Sequence, residues 1–519
     1  MERKIKCSFQ IIIFLIILFF ADKSLQSLNL TGSNEFGITY IDIDKPLNNT
    51  AYNRGPAYNY RFMMTGKISD YDFSGIGNLL YTQKKDYKKF EFETLRLEFI
   101  KPTHSMIFGQ VYPQFSELTL NNQKIEGANL KIFRNKWNIE FFGGLSNQYE
   151  KLSTLNQTAE YTQYLNGLKT DYIANSDLKI SATVFYAEDD KSSIDTGTPI
   201  LGPIKNRVYA ITTAINSTDK KGNLIIDLAR SEYDKDKKDA SVLLKKDKSI
   251  LTVFKYDFLE NLRTSLQYKR IGKDYYTAGN PSLNSSETGY KGFFGQYEYA
   301  LTNTLFSGYA EVYSEDSFDT SGIKTDYWIW DNNIKQTIDD NNEVALGTYL
   351  KSSEKEDNSI DSLKGTVKLI YTKKINKARL STNINYSKTD DKTLSNSDSK
   401  VKGISTTYSN RFLNNNLFLS AFVLANKTEM TTGDLKFFMA NLNLNHKLMP
   451  NKLLATANFG FQLNSAATEL TRTYTNNINF KYYFSYEKTM DLELKNDRKF
   501  GGETTYNVWC SNIRYTFIF

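Results

Sequence analysis

Apolar and polar side chains alternate along most of this chain with a period of two residues. In residues 453–464, one set of alternate positions is apolar and the other carries small, hydroxyl or amide side chains. The same alternation recurs in 262–270, 363–372, 377–386 and 438–448. Because successive side chains of a β-strand point to opposite faces, each segment predicts a strand with one apolar and one polar face.

The predicted strands are long, and the joins between them alternate in length. Most segments have about 9 to 14 residues, which suits tilted membrane strands better than the shorter strands of soluble sheets. Counting back from the C-terminus, short joins near Ser485 and Pro450 alternate with longer polar joins at 495–501 and 466–469, and the alternation continues upstream. Short turns on one side and long loops on the other are typical of membrane barrels. The count predicts about 26 strands, with about 22 as the lower bound.

Soluble β-sandwiches also contain alternating strands, whose apolar faces form a core. The number and length of the segments favour a barrel instead. All eight prolines lie in a join or at its border, as expected for a closed ladder in which each strand needs its N–H groups. The predicted fold class is therefore all-β, a large closed antiparallel transmembrane β-barrel without a plug domain.

One predicted strand changes its apolar parity part of the way along. In residues 90–100, Phe90 and Phe92 occupy one set of alternate positions, whereas Leu95, Leu97 and Phe99 occupy the other. A single extra residue in the strand would re-aim the side chains in this way. The pattern predicts a β-bulge between Phe92 and Leu95.

The last strand, residues 505–519, has aromatic residues at the last, third-last and fifth-last positions, which are Phe519, Phe517 and Tyr515. This ending resembles the C-terminal strand of bacterial outer-membrane β-barrel proteins, and the whole chain resembles a porin-like member of that class. The resemblance implies that Tyr515, Phe517 and Phe519 are a signal for the barrel-assembly machinery. A closed wall then requires the last strand to pair with the first, which is predicted at 36–44.

Residues 1–26 have the features of a secretory signal peptide. Arg3, Lys4 and Lys6 precede a short apolar run at 11–20, and a polar stretch follows. An uncleaved anchor is the alternative. The predicted division is a signal peptide at 1–26 and a transmembrane β-barrel at 27–519, exported to the bacterial outer membrane. About ten residues separate the signal from the predicted first strand, too few for the plug that very wide barrels carry, so TonB-dependent import is not expected.

Composition narrows the function classes. The chain has 519 residues, of which 24% are charged, and a net charge of +7 with both signs interspersed. No basic block with interleaved aromatics stands out, so nucleic-acid binding is not expected. The low mean hydropathy of −0.49 argues against a helical membrane protein but is compatible with a barrel, in which only alternate residues meet lipid. Of the two cysteines, Cys7 and Cys510, only Cys510 follows the signal, so no internal disulfide is expected.

The residue types needed for catalysis or metal binding are sparse. The two histidines, His104 and His446, stand far apart in sequence and lack a catalytic partner nearby. Acidic groups at 189–190, 354–357 and 390–391 lack the spacing of a calcium loop and are expected to be solvated loop charges. We therefore expect no enzyme activity, no metal site and no cofactor.

The polar faces of the predicted strands carry charged residues, which are costly against lipid and tolerated against water. These side chains are predicted to face a water-filled lumen, although charges that merely pair across the wall would give the same pattern. The predicted lumen-facing residues are Arg96, Glu98, Arg263, Lys269, Lys364, Lys368, Arg379, Lys481, Asp491 and Glu493.

A Pro-containing hairpin at 109–129 is the other unusual segment. Its strand, turn-rich loop and return strand predict an outer hairpin able to fold inward. It resembles a segment of large secretion barrels such as pilus ushers and the gliding-motility translocon, in which an acidic residue stands where this chain has Gln110.

These features lead to two functional expectations. The favoured function is a water-filled pore for passive diffusion of small hydrophilic solutes. The alternative is a non-enzymatic barrel that assembles, secretes or hosts another protein. The expected partners are outer-membrane lipid, the barrel-assembly machinery and small polar solutes.

Overall fold

The computed structural model describes residues 30–518 apart from 44–54, 85–86, 148–160, 194–201, 287–288, 317–323, 358, 394–396, 432, 467–468 and 502–504. The predicted signal peptide at 1–26 and Phe519 lie outside the described residues.

The described part of the chain forms 26 β-strands. They are β1 (Leu30–Ile43), β2 (Gly55–Ile68), β3 (Tyr71–Lys84), β4 (Tyr87–Lys101), β5 (His104–Val111), β6 (Ile125–Arg134), β7 (Trp137–Asn147), β8 (Gln163–Ile173), β9 (Leu178–Asp189), β10 (Lys205–Asn216), β11 (Gly222–Asp234), β12 (Lys245–Leu259), β13 (Leu262–Ile271), β14 (Tyr290–Ala300), β15 (Thr304–Asp316), β16 (Lys324–Asp339), β17 (Asn342–Lys355), β18 (Asp361–Ile375), β19 (Ala378–Asp391), β20 (Ser399–Phe412), β21 (Leu417–Met430), β22 (Leu435–Met449), β23 (Leu453–Ser465), β24 (Leu470–Tyr483), β25 (Lys488–Phe500) and β26 (Tyr506–Ile518).

Each strand pairs antiparallel with the next, and the last strand pairs with the first. At this closing seam Phe36 lies opposite Tyr515, and Ile38 lies opposite Ile513. The barrel, its count of 26 strands and the pairing of its ends confirm the sequence prediction. Strand β1 begins at Leu30, earlier than predicted, because Thr31 and its neighbours lack the apolar alternation but still pair with β2.

The two faces of the wall differ as a membrane barrel requires. On the outer face, large apolar side chains are exposed, among them Phe293 (64%), Leu266 (58%) and Ile211 (57%). Apolar side chains exposed in a continuous band are expected where the solvent is lipid. On the inner face, Phe185 and Val208 are directly opposite each other and have no exposed surface, because other parts of the chain cover them.

The predicted bulge is present in the β3–β4 pair. Asn78 pairs with Thr94 while Leu79 pairs with Phe92, so Glu93 is the extra residue. Its side chain accepts a hydrogen bond of 2.6 Å from the Nδ2 of Asn78. The bulge explains the change of apolar parity, since the side chains on either side of Glu93 must shift by one position.

Helical structure is minor in the described part of the chain. It comprises a short helix, α1 (Pro281–Ser286), and one 3-10 turn at Leu413–Asn415. No described helix is long and apolar enough to cross a membrane.

Candidate functional site: the lumen and its inner loop pair

Two long loops fold onto the inner face of the barrel. We call residues 112–124 loop A and residues 272–286 loop B, and the two together the inner loop pair. They join inner-face residues of the wall in one hydrophobic cluster. The wall members of that cluster come from the ten consecutive strands β5 to β14. Among the described residues, no buried member of the cluster comes from β15–β26 or β1–β4, so the cover is one-sided.

Loop A is held by apolar burial. Leu118 and Leu120 have no exposed surface, and Phe115 is 6% exposed. The ring of Phe115 meets the ring of Phe142 on β7 edge to face, with centroids 5.3 Å apart. A fully buried leucine stabilises its site by about 1.5–3 kcal/mol relative to an exposed one, so the two leucines alone favour the docked position of loop A.

Loop B binds the backbone of loop A through three side chains. The Tyr275 hydroxyl donates to the Leu118 carbonyl at 2.5 Å, and the Thr277 hydroxyl donates to the Thr119 carbonyl at 2.5 Å. The Nδ2 of Asn280 donates to the Glu117 carbonyl at 2.7 Å. These bonds satisfy carbonyl groups that burial would otherwise leave without water, so loop A and loop B stabilise each other.

Asn206 on β10 fastens loop B to the wall. This side chain is fully buried. Its Nδ2 donates to the Tyr276 carbonyl at 2.9 Å, and its Oδ1 accepts from the backbone N–H of Ala278 at 3.0 Å. The hydroxyl of Ser231 on β11 also donates to the Tyr276 carbonyl at 2.5 Å. An amide that uses both its donor and its acceptor on one loop fixes the position of that loop.

Two lysines of the wall reach loop A. The Nζ of Lys269 lies 2.5 Å from Oε1 of Glu117, and the Nζ of Lys169 donates to the Phe115 carbonyl at 3.1 Å. Lys269 is buried, with 5% of its surface exposed. A buried ammonium needs such partners because removal from water is costly.

The backbone near the end of β5 adopts a left-handed conformation at Gly109, which we call the β5 bend. Gly109 has a φ of +93°, a conformation that side chains disfavour. A Cβ at this position would lie 2.0 Å from the Leu95 carbonyl oxygen. The adjacent Gln110 donates through its Nε2 to the Glu93 carbonyl at 2.6 Å, which ties the bend to the bulge of β4.

Burial raises the pKa values of both tyrosines of loop B. It raises the pKa of Tyr276 to about 12, with a further contribution from the charge of Asp189. Burial likewise raises the pKa of Tyr275 well above its usual value, and the charge of Asp227 adds to this effect. Both phenols are therefore neutral at ordinary pH, and the neutral Tyr275 hydroxyl donates the hydrogen bond to Leu118.

The ten predicted lumen-facing residues are spread around the wall and do not form one site. Arg96 lies 3.4 Å from Glu98. Arg263 lies 3.7 Å from Glu298 on the neighbouring strand, and Lys269 binds Glu117.

The remaining predicted residues lie on β18, β19, β24 and β25. Lys481 lies 3.7 Å from Asp491, and Glu493 accepts a hydrogen bond of 2.8 Å from Asn477. By register, Lys364 stands opposite Lys351, Lys368 opposite Asn385, and Arg379 opposite Ser409.

An amide-rich stretch of the inner face was missed as a group by the sequence analysis. Asn443, Asn458 and Asn477 are direct cross-strand neighbours on β22, β23 and β24. Asn441 and Asn445 continue the same face of β22. Each asparagine is visible in the sequence, but only the strand register places them side by side. This stretch offers donors and acceptors without net charge.

Two of the three predicted assembly-signal residues, Tyr515 and Phe517, lie at the closing seam. Tyr515 is 41% exposed on the outer face and lies opposite Phe36. Phe517 pairs with Asn34 of β1 and Lys488 of β25. The Lys488 ammonium lies 5.5 Å from the Phe517 ring centroid.

The two histidines lie on different strands, His104 on β5 and His446 on β22. His104 Nε2 is within 2.9 Å of the Tyr71 hydroxyl, and its Nδ1 is within 3.0 Å of the Thr103 hydroxyl. His446 lies on β22, remote in sequence from His104. In the part of the chain that the structure describes, no cluster of His, Cys, Asp and Glu is arranged to hold a metal ion.

No protein-family model matches the chain, and no curated protein matches it. Among solved structures, the chain is similar to one from the Escherichia coli P pilus tip assembly intermediate PapC-PapD-PapK-PapG, with a TM-score of 0.51 and 10% identity. The match covers 88% of this chain, which spans 61% of that one. The siderophore receptor PirA from Pseudomonas aeruginosa gives a TM-score of 0.45 at 10% identity, and the match covers 94% of this chain and 80% of the PirA chain. The FrpB iron transporter from Neisseria meningitidis gives a TM-score of 0.46 at 8% identity, and the match covers 94% of this chain and 82% of the FrpB chain.

The closed 26-stranded antiparallel sheet and the fold shared with the pilus assembly structure define the class. The chain is a large β-barrel of the outer-membrane type. At 10% identity the likeness concerns the fold alone.

Proposed function

We propose that this chain is a bacterial outer-membrane pore that admits small hydrophilic solutes by passive diffusion, and that the inner loop pair narrows its lumen. The observation that carries the proposal is the one-sided cover. The buried cluster occupies the inner faces of β5–β14, and Tyr313 of β15 packs against its edge, while the remaining inner face is mainly polar and partly exposed.

The uncovered part of the inner wall suits polar solutes whether their charge is positive or negative. Several of its carboxylates and cations are paired locally, as in Lys481 with Asp491 and Arg514 with Glu35. The amide-rich stretch on β22–β24 adds hydrogen-bonding groups without charge. Local pairing of charges leaves little net field, so we expect weak ion selectivity.

The prediction that the barrel has no plug domain stays a prediction. Loop A and loop B supply the narrowing in this proposal, because very wide barrels need some element that restricts the lumen. Export through a cleaved signal peptide and delivery by the barrel-assembly machinery belong to the same proposal. The proposal assigns no catalytic step to this chain. Both ring nitrogens of His104 lie within hydrogen-bond distance of hydroxyl groups, those of Tyr71 and Thr103.

The test is planar-bilayer recording on the purified, folded protein, combined with liposome-swelling assays using neutral sugars of increasing size. We expect stable channels with weak cation–anion discrimination, and permeation that falls as sugar size rises. Absence of conductance from protein shown to be folded by its heat-dependent gel mobility would refute the pore. Co-purification of a stoichiometric protein partner from the membrane would instead favour the partner-hosting function.

A further inference from the structure

Basic residues occupy neighbouring positions on the outer face of β11–β14, at the end where the long loops lie. Arg230 stands directly opposite Lys248, and Arg270 stands directly opposite Lys291. Ile250 follows Lys248 by two positions and lies opposite Arg270, so the two pairs are adjacent. All four basic side chains are exposed.

The alternation of the strands places these residues on the lipid side. Arg230 is two positions from Leu228, which is 48% exposed, and Lys291 is two positions from Phe293, which is 64% exposed. Residues two apart in a strand share a face. The basic group therefore continues the apolar outer band toward the long-loop rim and does not face the lumen.

Like charges directly opposite each other destabilise a sheet. Glu232 is the nearby carboxylate, 3.5 Å from Arg230 and 3.7 Å from Lys246. Asp247 also borders the group, but its carboxylate accepts the backbone N–H groups of Lys248 and Asp274. Among the described residues, no carboxylate forms an ion pair with Lys248, Arg270 or Lys291. Of the four cations in the two adjacent pairs, Arg230 is therefore the one that forms an ion pair with a described carboxylate.

A second basic group on the outer face shows the contrast. On β20–β22, Lys402, Lys427 and Lys436 are also cross-strand neighbours. There Glu429 lies 3.3 Å from Lys402 and 3.0 Å from Lys427, and Asp434 lies 2.9 Å from Lys427. That group is compensated by the protein itself, whereas the group on β11–β14 is left with excess positive charge.

A cavity of about 580 Å³ lies at the group on β11–β14. Its lining includes four cations, Arg230, Lys246, Lys248 and Arg270, one carboxylate, Asp247, and the apolar Leu228 and Ile250. Lys291 stands beside the cavity, opposite Arg270. The cations lie nearer the long-loop rim, and the apolar side chains lie nearer the middle of the wall. A lipid in the membrane has the same arrangement, with its phosphate at the membrane surface and its acyl chains toward the middle.

We propose that this cavity binds the phosphate group of an anionic membrane lipid, with the acyl chains against Leu228, Ile250 and Phe293. The phosphate bridges the Arg230–Lys248 and Arg270–Lys291 pairs and offsets their repulsion. A free phosphate ion would gain nothing from the apolar residues below, so the lipid is the occupant. The site requires the barrel to be in a membrane but does not depend on the pore function.

The test is native mass spectrometry of the folded barrel in detergent micelles that contain equal amounts of phosphatidylglycerol and phosphatidylcholine. The wild type is expected to retain phosphatidylglycerol preferentially. Arg270→Gln with Lys291→Gln removes one cationic pair and is expected to lower that preference on the order of tenfold. The control is Lys220→Gln with Lys221→Gln, which changes the net charge equally in an exposed turn at the opposite end of the β10–β11 hairpin.

Heat-dependent gel mobility verifies that each variant is folded. An unchanged preference in the double variant, or an equal loss in the control, would overturn the proposal. Displacement of the lipid by inorganic phosphate would also overturn it, because the site would then be one for free anions. Conductance of the double variant is expected to equal that of the wild type, so failure of the pore function and failure of the lipid site are separate outcomes.

Discussion

The ammonium group of Lys269 on β13 lies 2.5 Å from the carboxylate of Glu117 in loop A, although 152 positions of sequence separate the two residues. Lys269 is nearly buried, whereas the Glu117 side chain is 42% exposed. A wall residue predicted to face open water thus holds the loop that covers it.

Glu117→Gln is expected to weaken the docking of loop A. The change removes the carboxylate that compensates a buried ammonium, and we expect a loss of about 2 kcal/mol, less than for a pair buried on both sides. Limited proteolysis of the folded barrel measures the exposure of loop A, and conductance is expected to rise. Glu117→Gln combined with Lys269→Met is expected to recover part of the loss.

Arg263→Met provides the matched control on the same strand and face. Arg263 lies 3.7 Å from Glu298, and both side chains are at least half exposed. Because exposed ion pairs contribute little, proteolysis of loop A is expected to stay at the wild-type rate. Equal sensitivity of both variants would contradict the role assigned to Lys269 and Glu117.

Gly109→Ala is expected to displace loop A or prevent folding of the barrel. The new Cβ would lie 2.0 Å from the Leu95 carbonyl oxygen on a backbone with a φ of +93°. We expect a cost of at least about 1–2 kcal/mol. Gly460→Ala is the control, since a Cβ there has its nearest neighbour at an ordinary 3.5 Å. Denaturant unfolding followed by tryptophan fluorescence compares the two, and equal stability would contradict the strained bend.

Alkaline pH is expected to release loop B. The pKa of Tyr276 is raised from 10.0 to about 12, so its neutral form is favoured in the docked loop. The resulting stabilisation is complete below pH 10.0 and is lost as the pH rises toward about 12. Channel conductance should increase reversibly over this interval.

Tyr276→Phe should shift that transition because it removes one ionisable phenol from loop B. Tyr486→Phe serves as the control, since Tyr486 lies in a short turn and is 82% exposed. A transition that both substitutions move equally, or that neither moves, would argue against Tyr276 as the titrating group.

Deletion of Phe519 is expected to impair assembly and to leave transport intact. The deletion removes the last aromatic residue of the predicted assembly signal but none of the ten predicted lumen-facing residues. The fraction of folded protein in the outer membrane should fall, while the same variant refolded in detergent should still form channels. Normal insertion in cells would contradict the assembly role of this residue.

The alternation of side chains predicted the barrel only together with the number and length of the segments, the alternating join lengths and the positions of the prolines. These patterns indicated about 26 strands and a bulge between Phe92 and Leu95, and closure of the wall required the last strand to pair with the first; the structure has all three features. The faces of the strands and the bulge are local features, because a period of two residues fixes which side of the wall each side chain occupies. The inward hairpin at 109–129 was also recognisable from its unusual loop, and the structure places loop A on the inner face.

Contacts between distant segments decided how the two loops dock and which partners the inner-face residues have. Loop B has the Gly-, Asn- and Ser-rich composition of an ordinary surface loop, yet Tyr275 and Thr277 bind loop A and Ala278 binds Asn206. The same holds for Lys269, whose position on the inner face follows from the sequence but whose partner does not. The sequence by itself determined which face of the wall each residue occupies, because that depends on neighbours one or two positions away. Only the tertiary structure decided which part of the inner face is covered, because that depends on the packing of loops against strands far away in the chain.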